Sequence, residues 1–120
     1  MYYVSVRRHF DSAHGLRGDE GKCEKFHGHR FEVVARVAAS QLDRLGMAYD
    51  FRVLKKDLEP IIDRLDHTNL NETPPFDEIN PSSENIARFI YDELKKSLKV
   101  RVESVEVWES PDAWVTYEKG

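Results

Sequence analysis

The sequence has little cysteine, no long apolar run and no signal-peptide pattern. It has a single cysteine among its 120 residues, so no disulfide can form within the chain, and this suits a reducing compartment. No apolar run approaches the roughly 20 residues that cross a bilayer. The first residues also lack the pattern of a secretory signal peptide. We therefore expect a cytoplasmic protein with no membrane partner.

Positive charge is not in excess either. The chain has 18 Lys and Arg residues against 22 Asp and Glu residues, which gives a net charge of −4. Nucleic-acid-binding domains usually carry a basic patch or stripe, so we expect no nucleic-acid partner. A hydrophobic content of 40% is enough for one buried core, and the length predicts a single domain over residues 1–120.

Histidine, in contrast, is concentrated near one stretch of the chain. Of the five histidines, His14, His27 and His29 lie close together in the sequence. Residues two apart on a β-strand point to the same face, so a strand that begins near His27 would aim His27 and His29 at one point. Gly28 between them adds no bulk. With His14 as a third ligand and an open fourth position, the pattern is typical of a catalytic zinc site.

Two alternatives to a catalytic zinc remain open on spacing alone. A bare His-x-His pair is usually just a pair of surface or core histidines. If a metal is bound, Cys23 could also be a ligand, because it lies four residues before His27. Four protein ligands would make the zinc structural, whereas three would leave a position for a substrate.

The hydrophobic pattern predicts an α+β fold with element order ββααββ. Residues 3–10, 27–39, 101–108 and 113–117 have the alternation and β-branched content of strands. A first helix is predicted over 51–65 with Asp50 as its cap, and a second from Ser82 or Ser83 to about Leu98. Pro60 should kink the first helix or start a new turn. We expect an antiparallel four-stranded sheet with both helices on one face, and oligomers formed through its exposed edges and face.

Six segments, in this order along the chain, resemble the 6-pyruvoyltetrahydropterin synthase family, which includes the 6-carboxytetrahydropterin synthases of queuosine biosynthesis. The segments span nearly the whole chain and are Phe10–His14, Cys23–His29, Met47–Phe51, Leu65–Asn71, Asn80–Asn85 and Trp108–Ser110. The resemblance implies the tunnelling fold. In that fold, ββααββ subunits associate into a barrel, commonly a homohexamer built from two trimers, and a pterin binds at the subunit boundary.

The resemblance also implies a zinc ion on His14, His27 and His29 and a catalytic base at Cys23. A thiol near a metal and a histidine can have a pKa close to neutrality, which suits a base at working pH. The implied substrate is 7,8-dihydroneopterin triphosphate. The three-residue gap between Cys23 and His27 is similar to the class that produces 6-carboxy-5,6,7,8-tetrahydropterin with acetaldehyde and triphosphate.

Three further roles are implied by the resemblance. Asp66 and His67 match a second proton-handling pair, in which the carboxylate would orient the imidazole. Glu109 matches the residue that anchors the pterin ring, since one carboxylate can accept hydrogen bonds from N3–H and the 2-amino group together. Without the family context, Asp66-His67 would be interpreted as the polar end of a helix, and Glu109 as an exposed carboxylate at a strand end.

The identity of the base decides which product is expected. Glu24 follows Cys23 directly, and some relatives use a glutamate in this loop and release 6-hydroxymethyl-7,8-dihydropterin. Adjacent side chains of an extended segment point in roughly opposite directions, so both are not expected to reach the substrate together. We interpret Cys23 as the base and Glu24 as a solvated residue. The alternatives are a 6-pyruvoyl or a 6-hydroxymethyl product, and a metal-stabilised binding domain without catalysis.

Overall fold

The computed structural model describes residues 1–18 and 27–120. These residues form five strands in one sheet: β1 (Tyr2–His14), β2 (His27–Ala39), β3 (Thr68–Asn69), β4 (Arg101–Ser110) and β5 (Ala113–Tyr117). The strand order is β3-β1-β2-β4-β5. The pairs β1–β2, β2–β4 and β4–β5 are antiparallel, while the short β3 runs parallel to β1.

Two helices lie between β2 and β4 in the chain, α1 (Phe51–Leu65) and α2 (Ser83–Ser97). Each helix begins where a side-chain oxygen caps a free backbone N–H: Asp50 accepts from Arg52 at 2.8 Å, and Ser82 accepts from Asn85 at 3.1 Å. Such caps stabilise a helix by about 1 kcal/mol. The described chain contains no helix with the length and hydrophobicity needed to cross a bilayer.

The core lies between the helices and one face of the sheet. The apolar stripe of α1 packs on β1, and that of α2 packs on β4 and β5. At its centre Phe10 of β1 stacks on Phe31 of β2, with ring centroids 4.8 Å apart and no exposed surface on either ring. Because side chains alternate along a strand, every second residue from Phe10 or Phe31 points to this helix-covered side. That alternation also determines where His14 and His29 point.

The α+β prediction and the order of the predicted elements are confirmed, with three differences in detail. The sheet has a fifth strand, β3, which was not predicted because two residues carry no detectable alternation. Strand β1 continues past Phe10 to His14 and stays paired with β2 over its whole length. Helix α1 runs without a break through Pro60. Pro60 is exposed, so water can bond to the carbonyl that loses its intrahelical partner.

The other face of the sheet has no helix over it in the described chain. Ion pairs cross it between neighbouring strands, namely Arg7–Glu32 at 3.0 Å, Arg30–Asp11 at 3.0 Å and Arg36–Glu106 at 3.5 Å. The outer edge of β5 pairs with no other strand of residues 1–18 and 27–120, and β3 covers the outer edge of β1 only at Ser12 and Ala13. The sheet therefore has two free edges with main-chain groups able to pair with another chain.

Candidate active site

Three imidazoles lie together at the end of strands β1 and β2. His14 is directly opposite His27 in the β1–β2 register, and His29 is opposite Ser12. All three histidines therefore lie on the helix-covered side of the sheet. One ring nitrogen of each lies within 4.8 Å of the others. The pairing of two regular strands thus brings together the residues that sequence spacing predicted as metal ligands.

The hydrogen bond of His14 determines which of its nitrogens can bind a cation. The His14 side chain is almost fully buried, and its Nδ1 lies 2.7 Å from the carbonyl oxygen of Pro81. A carbonyl can only accept, so Nδ1 carries the proton and Nε2 keeps its lone pair. Contacts of this kind are the usual way in which a protein fixes the ring of a metal-binding histidine.

Two of the ring nitrogens in this cluster are buried without a hydrogen-bond partner among the described residues. They are Nε2 of His14 and Nε2 of His29. Buried polar atoms are nearly always satisfied by a protein group, water or an ion. A bound cation would satisfy both nitrogens at once, so the residues present fit a metal ion.

The protonation state of His29 is consistent with metal binding. Burial lowers the pKa of His29 below its usual value, and the neighbouring rings of His14 and His27 lower it further, while Glu109 acts in the opposite direction. A lowered pKa favours the neutral imidazole at physiological pH. Neutral imidazole is the form that binds a metal.

Glu109 lies beside this cluster, at the end of β4. Its Oε1 accepts a hydrogen bond from the Ser83 hydroxyl at 2.7 Å and is 3.8 Å from Nε2 of His14. A cavity of about 280 Å³ lies against His14 and Glu109, between the first turn of α2 and the start of β5. The predicted pterin anchor and a predicted metal ligand therefore line one small cavity.

Asp66 and His67 form a second cluster at the edge of the sheet. Asp66 Oδ1 accepts the backbone N–H of Asp11 at 2.9 Å, and Oδ2 lies 3.0 Å from Nδ1 of His67. The bond from Asp11, followed by the contact with His67, lowers the pKa of Asp66. An ionised Asp66 holds the proton of His67 on Nδ1, so Nε2 is left to exchange a proton.

His67 has an unusual backbone conformation. Its φ is 54°, in the left-handed region that non-glycine residues rarely adopt, at a cost of about 1–2 kcal/mol. Its N–H donates to the Asp11 carbonyl at 2.6 Å, which helps to hold it there. The side chain is 79% exposed. Strained residues of this kind are often found at functional sites.

The predicted site residues are therefore only partly brought together within one chain. The three histidines and Glu109 share a location, whereas Asp66 and His67 group with Asp11 instead. Cys23 and Glu24 lie outside the described residues.

Sequence reasoning missed three contributors to these clusters: Asp11, Ser83 and Pro81. The hydrogen bonds of Asp11 to Asp66 and His67, and that of Pro81 to His14, are made by main-chain groups, which side-chain patterns do not reveal. The sequence predicts a helix cap at Ser82 or Ser83, and because Ser82 is the cap, the Ser83 hydroxyl is free to bond to Glu109.

The chain is similar to known proteins of one family. The family model described as 6-pyruvoyl tetrahydropterin synthase matches residues 3–120. A 6-carboxy-5,6,7,8-tetrahydropterin synthase of Synechocystis sp. is 36% identical over 115 residues, which cover 92% of this chain and 88% of that protein. A dihydroneopterin monophosphate aldolase of Pyrococcus furiosus is 33% identical over 117 residues, which cover 96% of this chain and 96% of that protein.

A solved structure supports the same assignment. The 6-pyruvoyl tetrahydropterin synthase of Caenorhabditis elegans superposes with a TM-score of 0.86 at 28% identity, over 100% of this chain and 98% of that one. The resemblance seen in the sequence motifs is thereby confirmed over the full fold. The chain belongs to the 6-pyruvoyl tetrahydropterin synthase family.

Proposed function

We propose that this protein is a zinc-dependent lyase that converts 7,8-dihydroneopterin triphosphate to 6-carboxy-5,6,7,8-tetrahydropterin, with acetaldehyde and triphosphate, in queuosine and 7-deazapurine biosynthesis. The observation that supports this most is the pair of buried, unpartnered Nε2 atoms on His14 and His29. His14 also lines the cavity that contains Glu109. A structural zinc usually has four protein ligands, whereas the cluster among the described residues contains three histidines, which leaves a position for a substrate.

Zinc is the proposed metal because three histidines with an open position are typical of catalytic zinc sites. His14, His27 and His29 would hold it. When bound, zinc would act as a Lewis acid on substrate oxygens and so favour the loss of a C–H proton.

Cys23 is proposed as the base that takes this proton, and the Asp66–His67 pair as the group that moves a second proton. Asp66 would keep the His67 ring in one tautomer, as its 3.0 Å contact with Nδ1 indicates. A positioned acid or base of this type typically contributes 10²–10⁴-fold to a rate, on the order of 3–5 kcal/mol.

Glu109 is proposed to accept the N3–H and 2-amino hydrogen bonds of the pterin ring. The 3.8 Å between Glu109 Oε1 and His14 Nε2 is about one van der Waals contact, too narrow for a two-ring heterocycle. The carboxylate would therefore turn away from His14 when substrate binds, exchanging the Ser83 hydroxyl for the donors of the ring.

The proposed assembly is a homohexamer made of two trimers. The free edges of β1 and β5 support joining of sheets between subunits. His67 is exposed and lies away from the three histidines, which supports a site completed by a neighbouring subunit. A sedimentation mass near one 14.0 kDa chain at micromolar concentration would contradict the assembly.

A mixing experiment tests the shared site. As pure oligomers, His29→Ala and His67→Gly are each expected to retain at most about 1% of the wild-type activity. If His67 acts on a neighbour's metal site, oligomers assembled from both variants contain some sites with an intact histidine of each kind and regain part of the activity. Mixed oligomers without any activity would show that each chain must supply both groups to its own site.

A product assay tests the reaction itself. Cys23→Ala and Glu24→Gln are assayed side by side on dihydroneopterin triphosphate and monophosphate, with the products identified by mass. We expect Cys23→Ala to be inactive and Glu24→Gln to keep most of its activity, with a 6-carboxytetrahydropterin product. The monophosphate is included because one relative is named as an aldolase of that compound. The reverse pattern, with a 6-hydroxymethyl product, would favour the aldolase alternative.

A further inference from the structure

The segment that follows His14 is held by an unusual set of hydrogen bonds. Gly15 donates its N–H to Oδ1 of Asn71 at 2.8 Å, and its carbonyl accepts from Nδ2 of the same asparagine at 2.8 Å. Arg17 is bonded in the same way by Asn80, with both distances 2.9 Å. Each asparagine thus imitates the paired main-chain bonds of a neighbouring strand. We call Arg17, Asn71 and Asn80 together the amide clamp.

The Arg17 side chain adds a third part to the amide clamp. Its guanidinium donates to the main-chain carbonyls of Phe76 at 2.7 Å, Asn71 at 3.1 Å and Ile79 at 3.3 Å. A charged, planar group with several donors is well suited to bind convergent carbonyl oxygens. The cation therefore ties the segment after β1 to the loop over residues 71–79.

The amide clamp adjoins both ends of the hydrogen bond that orients His14. Gly15 directly follows His14, and Asn80 directly precedes Pro81, whose carbonyl accepts from His14 Nδ1 at 2.7 Å. The carbonyl of Asn80 in turn accepts from Nδ2 of Asn85 in α2 at 2.8 Å. The position of the Pro81 carbonyl is thus fixed both to the helix and to the segment that carries the histidine.

We propose that Asn80, supported by Asn71 and Arg17, is a positioning residue for the metal ligand His14. By fixing the Pro81 carbonyl against the ring, the amide clamp keeps the proton on Nδ1 and directs Nε2 towards His27 and His29. The inference rests on the metal-binding part of the proposed function and does not depend on the substrate. Partners that orient a metal-binding histidine typically change metal affinity by about 10–100-fold when removed.

The test measures zinc affinity separately from fold stability. Asn80→Ala and Asn71→Ala are compared with the wild type by competition with a chromogenic zinc chelator, and the unfolding temperature of each metal-free protein is recorded. Thr73→Ala is the matched control, because Thr73 Oγ1 donates to the Asn69 carbonyl at 2.9 Å in the same loop and forms no hydrogen bond with residues 15–17. We expect a 10–100-fold loss of zinc affinity for both asparagine variants and wild-type affinity for Thr73→Ala.

A milder variant and a spectroscopic measurement complete the design. Arg17→Gln removes the charged contacts but leaves both asparagine pairs, so a smaller loss of affinity is expected, and it keeps the test usable if an asparagine variant fails to fold. In cobalt-substituted protein, Asn80→Ala should change the visible absorption bands, because the His14 ring is no longer fixed.

Wild-type zinc affinity and an unchanged cobalt spectrum in folded Asn80→Ala would overturn the inference, leaving the amide clamp as loop structure only. Equal losses in Thr73→Ala and the asparagine variants would overturn it too, since the effect would then come from general loop stability. Absence of zinc binding by the wild type would instead contradict the metal site itself, and with it this inference.

Discussion

The chain presents two histidine sites at the same end of its sheet, and they are built in opposite ways. His14 and His29 belong to long, regular strands, lie on the covered face and keep unpartnered ring nitrogens. His67 follows the end of a helix in a strained conformation, is exposed, and has its Nδ1 already engaged by Asp66. A regular arrangement on paired strands, with open ring nitrogens, suits groups that hold a cation. An exposed ring with one nitrogen fixed and one free suits a group that exchanges protons with something brought to it.

The largest expected effect comes from removing a member of the three-histidine cluster on β1 and β2. His29→Ala should lower zinc affinity by more than about 100-fold, since it deletes a ligand rather than a supporting contact, and activity should fall to background. The measurements are metal content after dialysis and turnover of dihydroneopterin triphosphate. Retention of one zinc per subunit would mean that the metal is held elsewhere.

His67→Gly tests the exposed site and should separate activity from stability. We expect kcat to fall by about 10²–10⁴-fold, as for the loss of an acid–base group, with zinc content unchanged. Stability should be kept or raised, because glycine adopts positive φ without the strain that histidine bears. Calorimetric melting and turnover of the same sample give both values. Loss of zinc together with activity would show that the two sites are not separate.

Glu109→Gln tests whether the pterin ring of the substrate binds beside the three-histidine cluster. The change weakens a charge-assisted pair of hydrogen bonds, so pterin affinity should fall by about 10–100-fold, corresponding to about 1.5–3 kcal/mol. Zinc content should not change. Titration of a pterin analogue in a calorimeter measures the effect, and unchanged affinity would place the anchor at another residue.

The smallest effect concerns the pH dependence of stability. The pKa of Asp66 is lowered in the folded protein, so below its ordinary value of about 4 the unfolded chain binds this proton first. The stabilisation is therefore present above that pH and is lost as the pH falls further. Asp66→Asn should flatten the pH dependence of the free energy of unfolding of the metal-free protein as the pH falls below about 4.

Urea unfolding across this range, with Asp63→Asn as an exposed control on α1, measures the difference. If the free energy of unfolding of Asp66→Asn changed with pH as steeply as that of the wild type, the Asp11 contact would not stabilise the ionised Asp66 carboxylate.

The parts of the molecule that sequence could predict are those that repeat or lie close together in the chain. The period of α1, the caps at Asp50 and Ser82, and the shared face of His27 and His29 all follow from local rules. The clustering of His14 with them follows once β1 pairs with β2.

The parts that sequence could not predict depend on main-chain partners and on distant segments. The Pro81 carbonyl is recognised by its position and not by its side chain, and Asn80 bonds to a residue 63 positions away. The strand β3 is too short for alternation to be visible. Continuity of α1 through Pro60 depends on exposure to water, which the pattern of apolar residues does not report.

The register of β1 and β2 allows the placement of the proposed metal ligands to stay constant while the proposed reacting group varies. Because His14 and His27 are opposite each other in the ladder, strand pairing sets the backbone positions of these two proposed metal ligands, while the amide clamp acts on the orientation of the His14 ring. Each doubling of the length of a flexible connection costs only about 0.6 kcal/mol of closure entropy. We therefore expect loop grafting between the two strands, where Cys23 and Glu24 occur in the sequence, to leave the pairing of His14 with His27 in place. The chain is therefore suited to redesign in which the proposed reacting group is exchanged while the proposed metal centre is kept.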